Sequence, residues 1–346
     1  MPKKLYLHII RFQLKIINEM SSKINWGIIG LGGIAHKFTT DLLLVENCTL
    51  EAVASRNLKK AEAFSNQYNS NNFYGSYEEL LQNKLVTIVY IATPNNSHEH
   101  YTILALKHKK AVLCEKPFAI NKKQVFNMIE ASKNNTLFLM EAMWTRFNPS
   151  IKEIKRIIDN GEIGKIKYIN ADFSFKANTS IQRLYDKELG GGSLLDIGIY
   201  PVFLAYLLLG IPTEINAKAH FYESGVDSQL AMLFNYKNAQ AVLFSSFNST
   251  SKRIVKISGT LGEIIIDMPW NETASFSIQL NNETEKIITL PTIGRGYSHQ
   301  IMECNLCLQQ HKVESNTWSH QNSLELITLL DAIRQEINLT YKEDLI

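Results

Sequence analysis

Apolar residues along this 346-residue chain recur in two rhythms, and the change falls near Asn148-Pro149. Up to about Glu141, short uninterrupted apolar runs alternate with helix-compatible segments. Ile24 to Ile29, Leu50 to Ala54, Val86 to Ala92, Ala111 to Cys114 and Thr136 to Met140 read as buried strands, while His98 to Lys109 and Asn121 to Lys133 read as helices. Such alternation predicts a doubly wound parallel sheet, whose ligands bind beyond the carboxyl ends of the strands. After the change, a helix from Ile151 to Asn160 ends at Gly161, and strand-like runs dominate from Lys165. They are Ile166 to Phe175, Glu214 to Tyr222, Gln229 to Tyr236, Ala239 to Phe247, Arg253 to Ser258, Glu263 to Met268, Ser275 to Leu280 and Lys286 to Leu290. Helices over about Ser298 to Gln310 and Ser323 to Ile337 close the chain.

The predicted fold class is α/β: a Rossmann sheet followed by an α+β domain with a large, mainly antiparallel open sheet. The expected organisation is an amino-terminal extension over 1–22, a nucleotide-binding domain over 23–143 and a substrate-binding and oligomerisation domain over 144–346. A sheet with too few helices to cover both faces predicts a homodimer or higher homo-oligomer.

Charge changes this picture little. The formal net charge is +3, but Lys3, Lys4, Arg11, Lys15 and Lys23 against Glu19 place that excess in the first 23 residues. The body is nearly neutral, which removes the electrostatic footprint of a nucleic-acid binder. Arg11 and Lys15 also interrupt any signal-peptide-like core. The uncharged run Ile197 to Thr213 contains Pro201 and Gly210 and reads as a buried helix, so no membrane partner is expected. Four cysteines in a chain of this length do not form a disulfide framework and point to a reducing, cytoplasmic setting. Cys304 and Cys307 have no second pair to complete a metal site, and no metal is expected.

Three motifs carry chemistry. In Gly30-x-Gly32-Gly33-Ile34-Ala35, after a strand and opening a helix, the glycines let the backbone turn and approach a pyrophosphate at a helix N-terminus. The second strand ends at Ser55-Arg56, a hydroxyl and a guanidinium where an NAD site wants a carboxylate, which favours the 2′-phosphate of NADP. Glu115-Lys116-Pro117 places a lysine just past a buried strand, at the ligand edge of the sheet. The third motif is the glycine-rich Gly190-Gly191-Gly192-Ser193 leading to Asp196 and Tyr200, whose spacing of four puts both on one helical face unless Pro201 kinks it.

In this order and spacing the motifs resemble the glucose–fructose oxidoreductase/inositol dehydrogenase (Gfo/Idh/MocA) family over the chain from about Lys23 onward. Glu141-Ala142-Met143-Trp144-Thr145-Arg146-Phe147 and the tyrosine at Tyr200 look like the branch containing dimeric trans-1,2-dihydrodiol dehydrogenase and an NADP-dependent D-xylose 1-dehydrogenase. The resemblance implies that Tyr200 is the acid–base, Lys116 its charged neighbour and Asp196 the group orienting substrate. It further implies that Thr93, Asn95, His98 and Glu115 border the cofactor and that Trp144 and Arg146 flank the substrate. Asp186, where the branch more often has proline, and Pro201 depart from its pattern. The expected activity is NADP-dependent oxidation of a sugar or vicinal diol. Alternatives are reduction of a sugar ketone or dicarbonyl on the same scaffold and a non-catalytic NADP-binding regulator.

Overall fold

The computed structural model describes residues 23–272 and 274–345, so the extension over 1–22 lies outside the described residues. The first layer alternates strand and helix: β1 (Ile24–Ile29), α1 (Gly33–Leu42), β2 (Cys48–Ala54), α2 (Leu58–Tyr68), β3 (Asn72–Tyr74), α3 (Tyr77–Gln82), β4 (Ile88–Ile91), α4 (His98–Lys107), β5 (Ala111–Glu115), α5 (Lys122–Asn135) and β6 (Leu139–Ala142). All six strands are parallel, in the order β3-β2-β1-β4-β5-β6. β4, β5 and β6 are buried throughout, as apolar runs covered on both faces must be. β6 begins at Leu139, later than the apolar run suggested, because Thr136 adopts a left-handed conformation (φ 54°) that caps α5.

α6 (Pro149–Asp159) leads to the second sheet, formed by β7 (Ile166–Ser174), β8 (Glu214–Phe221), β9 (Asp227–Asn235), β10 (Gln240–Ser246), β11 (Val255–Gly259), β12 (Gly262–Ile266), β13 (Ser275–Leu280) and β14 (Lys286–Thr289). Its order is β14-β13-β12-β11-β7-β10-β9-β8, antiparallel except for the β7–β10 pair. Ile169, Ala171 and Phe173 of β7 and Ala241 and Leu243 of β10 point inward, under α7 (Ile199–Leu209), and Leu230, Met232 and Phe234 of β9 are buried on the same face. On the other face of the sheet Val242 is 40% exposed.

α7 belongs to a stretch, Lys187–Leu209, apolar enough by composition to cross a membrane, but most of it is buried inside the protein. α8 (Tyr297–Gln309) packs back on α1, and α9 (His320–Glu336) on α5 and α7. Cys304 and Cys307 are buried on α8. The segment after α9 is strapped down: Arg334 pairs with Asp331 and Asp344, and Asn121 donates to the backbone oxygen of Glu343.

Candidate active site

The carboxyl ends of β1, β2, β4 and β5 converge with the turn before α7. At β1, Gly30 has φ +84°, and a Cβ there would lie 2.6 Å from the oxygen of Ala92, so only glycine fits. Gly32 and Gly33 face open space, and no side chain caps the helix they open, which leaves the first N–H groups of α1, from Gly33, Ile34 and Ala35, to serve an anion. At the end of β2, Arg56 is exposed and Ser55 accepts the backbone N–H of Asn57. Glu51, the carboxylate of that strand, is consumed by the amides of Asn71 and Asn72 at 2.8 Å. The cradle therefore fits a dinucleotide.

The β4 loop is held from two sides. Asn95 donates to the oxygen of Gly190 at 2.9 Å, tying this loop to the glycine motif, and Thr93 accepts from Ser97. His98 is fully buried, each ring nitrogen 2.9 Å from a carbonyl oxygen, one of Thr93 and one of Pro117. Burial pushes its pKa down. Its place is that of a brace between the β4 and β5 loops, behind the cleft surface.

At the end of β5, Glu115 takes the hydroxyl proton of Tyr90 in a hydrogen bond and accepts the N–H of Lys116 at 3.2 Å. The Lys116 ammonium donates to the backbone oxygen of Asp196 at 2.5 Å, stands 3.8 Å from its carboxylate and lies 4.9 Å from the centre of the Tyr200 ring. Arg183 reaches the same carboxylate at 3.0 Å. Burial alone would raise the Asp196 pKa, but Arg183 and then Lys116 outweigh it and bring it below the ordinary value.

Asp196 and Tyr200 do not share a regular helix. Leu194–Gly198 forms a π-turn in which the N–H of Ile199 reaches back to Leu194, and the α-helix starts only at Ile199. Pro201 thus falls in a first turn, where its missing N–H is tolerated. Asp227, buried, fixes the turn by accepting from Ser193 Oγ at 2.6 Å and Leu194 N at 2.7 Å. Tyr341, from the strapped segment, donates to the oxygen of Gly191 at 2.5 Å.

The hydroxyl of Tyr200 accepts the indole N–H of Trp144 at 2.8 Å. Phe173 (ring centroids 5.2 Å) and Trp270 (6.3 Å) complete an aromatic wall around the phenol, and Tyr297 stacks on Trp144 at 4.5 Å. Burial and the neighbouring Tyr297 hold the Tyr200 pKa well above its ordinary value, opposed by the indole hydrogen bond. The Lys116 ammonium is directed at Asp196. The structure thus brings together Lys116, Asp196, Tyr200 and Trp144. Arg146 instead lies in the field of Glu303 and Asp159, on the α8 side. Phe173, Trp270 and Tyr297 come from distant segments, and no local pattern singles them out, whereas Arg183 lies 13 residues before Asp196. Among the described residues no cluster of His, Cys, Asp or Glu could hold a metal ion.

A model described as an oxidoreductase family with an NAD-binding Rossmann fold matches residues 24–143, and a GFO/IDH/MocA C-terminal domain matches 151–265. The chain is 34% identical over 328 residues to trans-1,2-dihydrobenzene-1,2-diol dehydrogenase of Xenopus tropicalis, covering 91% of this chain and 98% of that one. It is 31% identical over 329 residues to scyllo-inositol 2-dehydrogenase (NADP(+)) IolU of Bacillus subtilis, covering 93% and 99%. Among solved structures, a 3-ketoreductase from Actinomadura kijaniata with NADP and TDP-benzene aligns at TM-score 0.84 and 24% identity, covering 91% and 98%, a likeness of fold. An aldose-aldose oxidoreductase from Caulobacter crescentus, complexed with glycerol, aligns at 0.83 and 25% identity over the same shares.

Proposed function

Because the chain belongs to the Gfo/Idh/MocA oxidoreductase family, we propose that it is an NADP-dependent enzyme interconverting a carbinol and a carbonyl on a sugar or vicinal diol. The observation that carries this reading is the Tyr200 hydroxyl. A hydroxyl has one proton to give, and the donor-only indole of Trp144 occupies one of its lone pairs, so the phenolic proton is directed elsewhere, at a substrate. The nicotinamide cofactor, when bound, supplies the hydride acceptor or donor.

The chain's own groups do the rest. Gly30, Gly32, Gly33 and the first amides of α1 hold the pyrophosphate, and Ser55 with Arg56 holds the 2′-phosphate. Thr93, Asn95, Glu115 and Lys116 border the cofactor from the β4 and β5 loops. The aromatic wall excludes water from the reacting carbon. A phenol kept neutral by burial is the form that protonates a carbonyl, which supports the reductive direction on a sugar ketone or dicarbonyl. Oxidation requires the phenolate, and Lys116, turning from Asp196 toward Tyr200, is the charge that would stabilise it. The names of the relatives support the substrate class, and the open sheet supports a homodimer or higher homo-oligomer.

Monitoring NADPH formation and consumption across aldoses, inositols, diols and dicarbonyls tests the reading, and failure with every member would overturn it. Replacing Arg56 by alanine should weaken NADPH binding about 10- to 100-fold, the range for a hydrogen bond to a charged group, with little change for NADH. Equal losses for both cofactors would remove the NADP assignment.

A further inference from the structure

We propose that Asp41, on the last turn of α1, is a positioning residue for the proton of Tyr200. The inference rests on the reading of Tyr200 as acid–base. Asp41 is fully buried, and its carboxylate accepts three backbone N–H groups at the start of α8 and just before it: that of Arg295, shared between both oxygens at 3.0 Å, that of Tyr297 at 2.8 Å and that of Ser298 at 3.3 Å. The residue at the N-cap position of α8 is Gly296, which has no side chain to do this. The preceding loop is moulded on the carboxylate, since a Cβ on Gly294 would come within 2.2 Å of Asp41 Oδ1.

What this fixes is the ring of Tyr297, the first residue of α8. That ring lies on Trp144 at 4.5 Å with an interplanar angle of 28°, and Gly296 backs the edge of the same indole. Trp144 in turn donates to Tyr200 Oη. A continuous set of contacts therefore runs from Asp41 through Tyr297 and Trp144 to the reacting hydroxyl. α1, a ten-residue rod, presents its N-terminal amides to the cofactor cradle at one end and Asp41 near the other. The cradle and the acid–base are thereby set by one rigid element. Losing the carboxylate frees the start of α8, lets Tyr297 slide from the indole and releases the hydrogen bond that orients and acidifies the phenol.

The test compares Asp41→Asn with the wild-type full chain, using NADP⁺ with scyllo-inositol and D-xylose, and records the indole N–H resonances, with that of Trp144 assigned from Trp144→Phe. Expected are a fall in kcat of about 10- to 100-fold, the cost of a small misplacement of a reacting group, with KM and the NADPH Kd changed less than about threefold. The pH limb of kcat should move upward, the Trp144 resonance should shift, and Asp41→Glu should recover part of the loss. Tyr297→Leu leaves the cap and removes the stack, so it should reproduce both changes even if Asp41→Asn fails to fold. An unmoved Trp144 resonance and unchanged kcat, with only the melting temperature lowered, would reduce Asp41 to a helix cap. Turnover retained in Tyr200→Phe would strike the acid–base reading alone, and the indole resonance would still decide whether Asp41 sets Trp144.

Discussion

Two buried tyrosines stand on either side of the Glu115-Lys116 loop, and their hydroxyls are put to opposite uses. Tyr90 is packed flat on Phe38, at 3.7 Å between ring centroids, and gives its proton to the Glu115 carboxylate. Tyr200 is walled by aromatics as well, but its oxygen receives a proton from Trp144 instead of giving one. Burial pushes both phenols upward. What separates them is the partner: a carboxylate uses up the O–H, whereas an indole leaves it available. The carboxylates nearby divide in the same way. Burial raises the pKa of Glu115, while two cations bring Asp196 down.

The sharpest break of this contrast is Tyr200→Phe. It removes only the hydroxyl, so turnover should fall by ~10²–10⁴, the range for a general acid or base, while the fold and NADPH affinity survive. Lys116→Met should fall at least as far, and the double variant should be scarcely worse than the poorer single one, since groups acting as a unit are non-additive. Near-normal turnover with Tyr200→Phe in stopped-flow assays would remove the tyrosine from the chemistry.

Tyr90→Phe is the matched control with the opposite readout. It strips a buried carboxylate of a donor, so denaturant unfolding should register a loss of about 1–3 kcal/mol. Its effect on turnover should be less than a tenth of that of Tyr200→Phe. A comparable loss of turnover would mean that Tyr90, too, serves the chemistry.

The smallest effect is in pH. A carboxylate with a lowered folded pKa contributes stability present above its unfolded value, about 3.9 for aspartate, and lost as pH falls through the folded value. The melting-temperature deficit of Asp196→Asn should therefore be largest near neutrality and shrink in acid. Glu115, with a raised folded pKa, favours the fold while protonated and loses that advantage as pH rises through the folded value. The deficit of Glu115→Gln should shrink toward neutral pH. Parallel pH trends for the two variants would contradict the opposed directions.

The sequence made the scaffold readable because its signals are local. A buried strand followed by Gly30-x-Gly32 has few other meanings, and the change of rhythm after Pro149 located the second sheet strand by strand. Short β3 and the helices beside it gave weaker patterns, and the parallel β7–β10 pair follows from a crossover no local rhythm reports. Lys116, Asp196 and Tyr200 were readable as candidates, but their geometry was not. The π-turn is held by the buried Asp227, and the partner of Tyr200 lies 56 residues away in Trp144. His98 was readable as a polar group at a strand end, but only packing reveals that both of its nitrogens face carbonyl oxygens at 2.9 Å.

The strap after α9 also has a bearing on synthesis. Gly191 precedes the π-turn that carries Asp196 and Tyr200, and the hydroxyl that holds it belongs to Tyr341, 150 residues further along. While the chain is being made, the nucleotide cradle can close long before that hydroxyl has left the ribosome. Competence to bind cofactor should thus appear early in translation and competence to turn over substrate among the last events. Ribosome-bound chains halted before Tyr341 would be binders without chemistry.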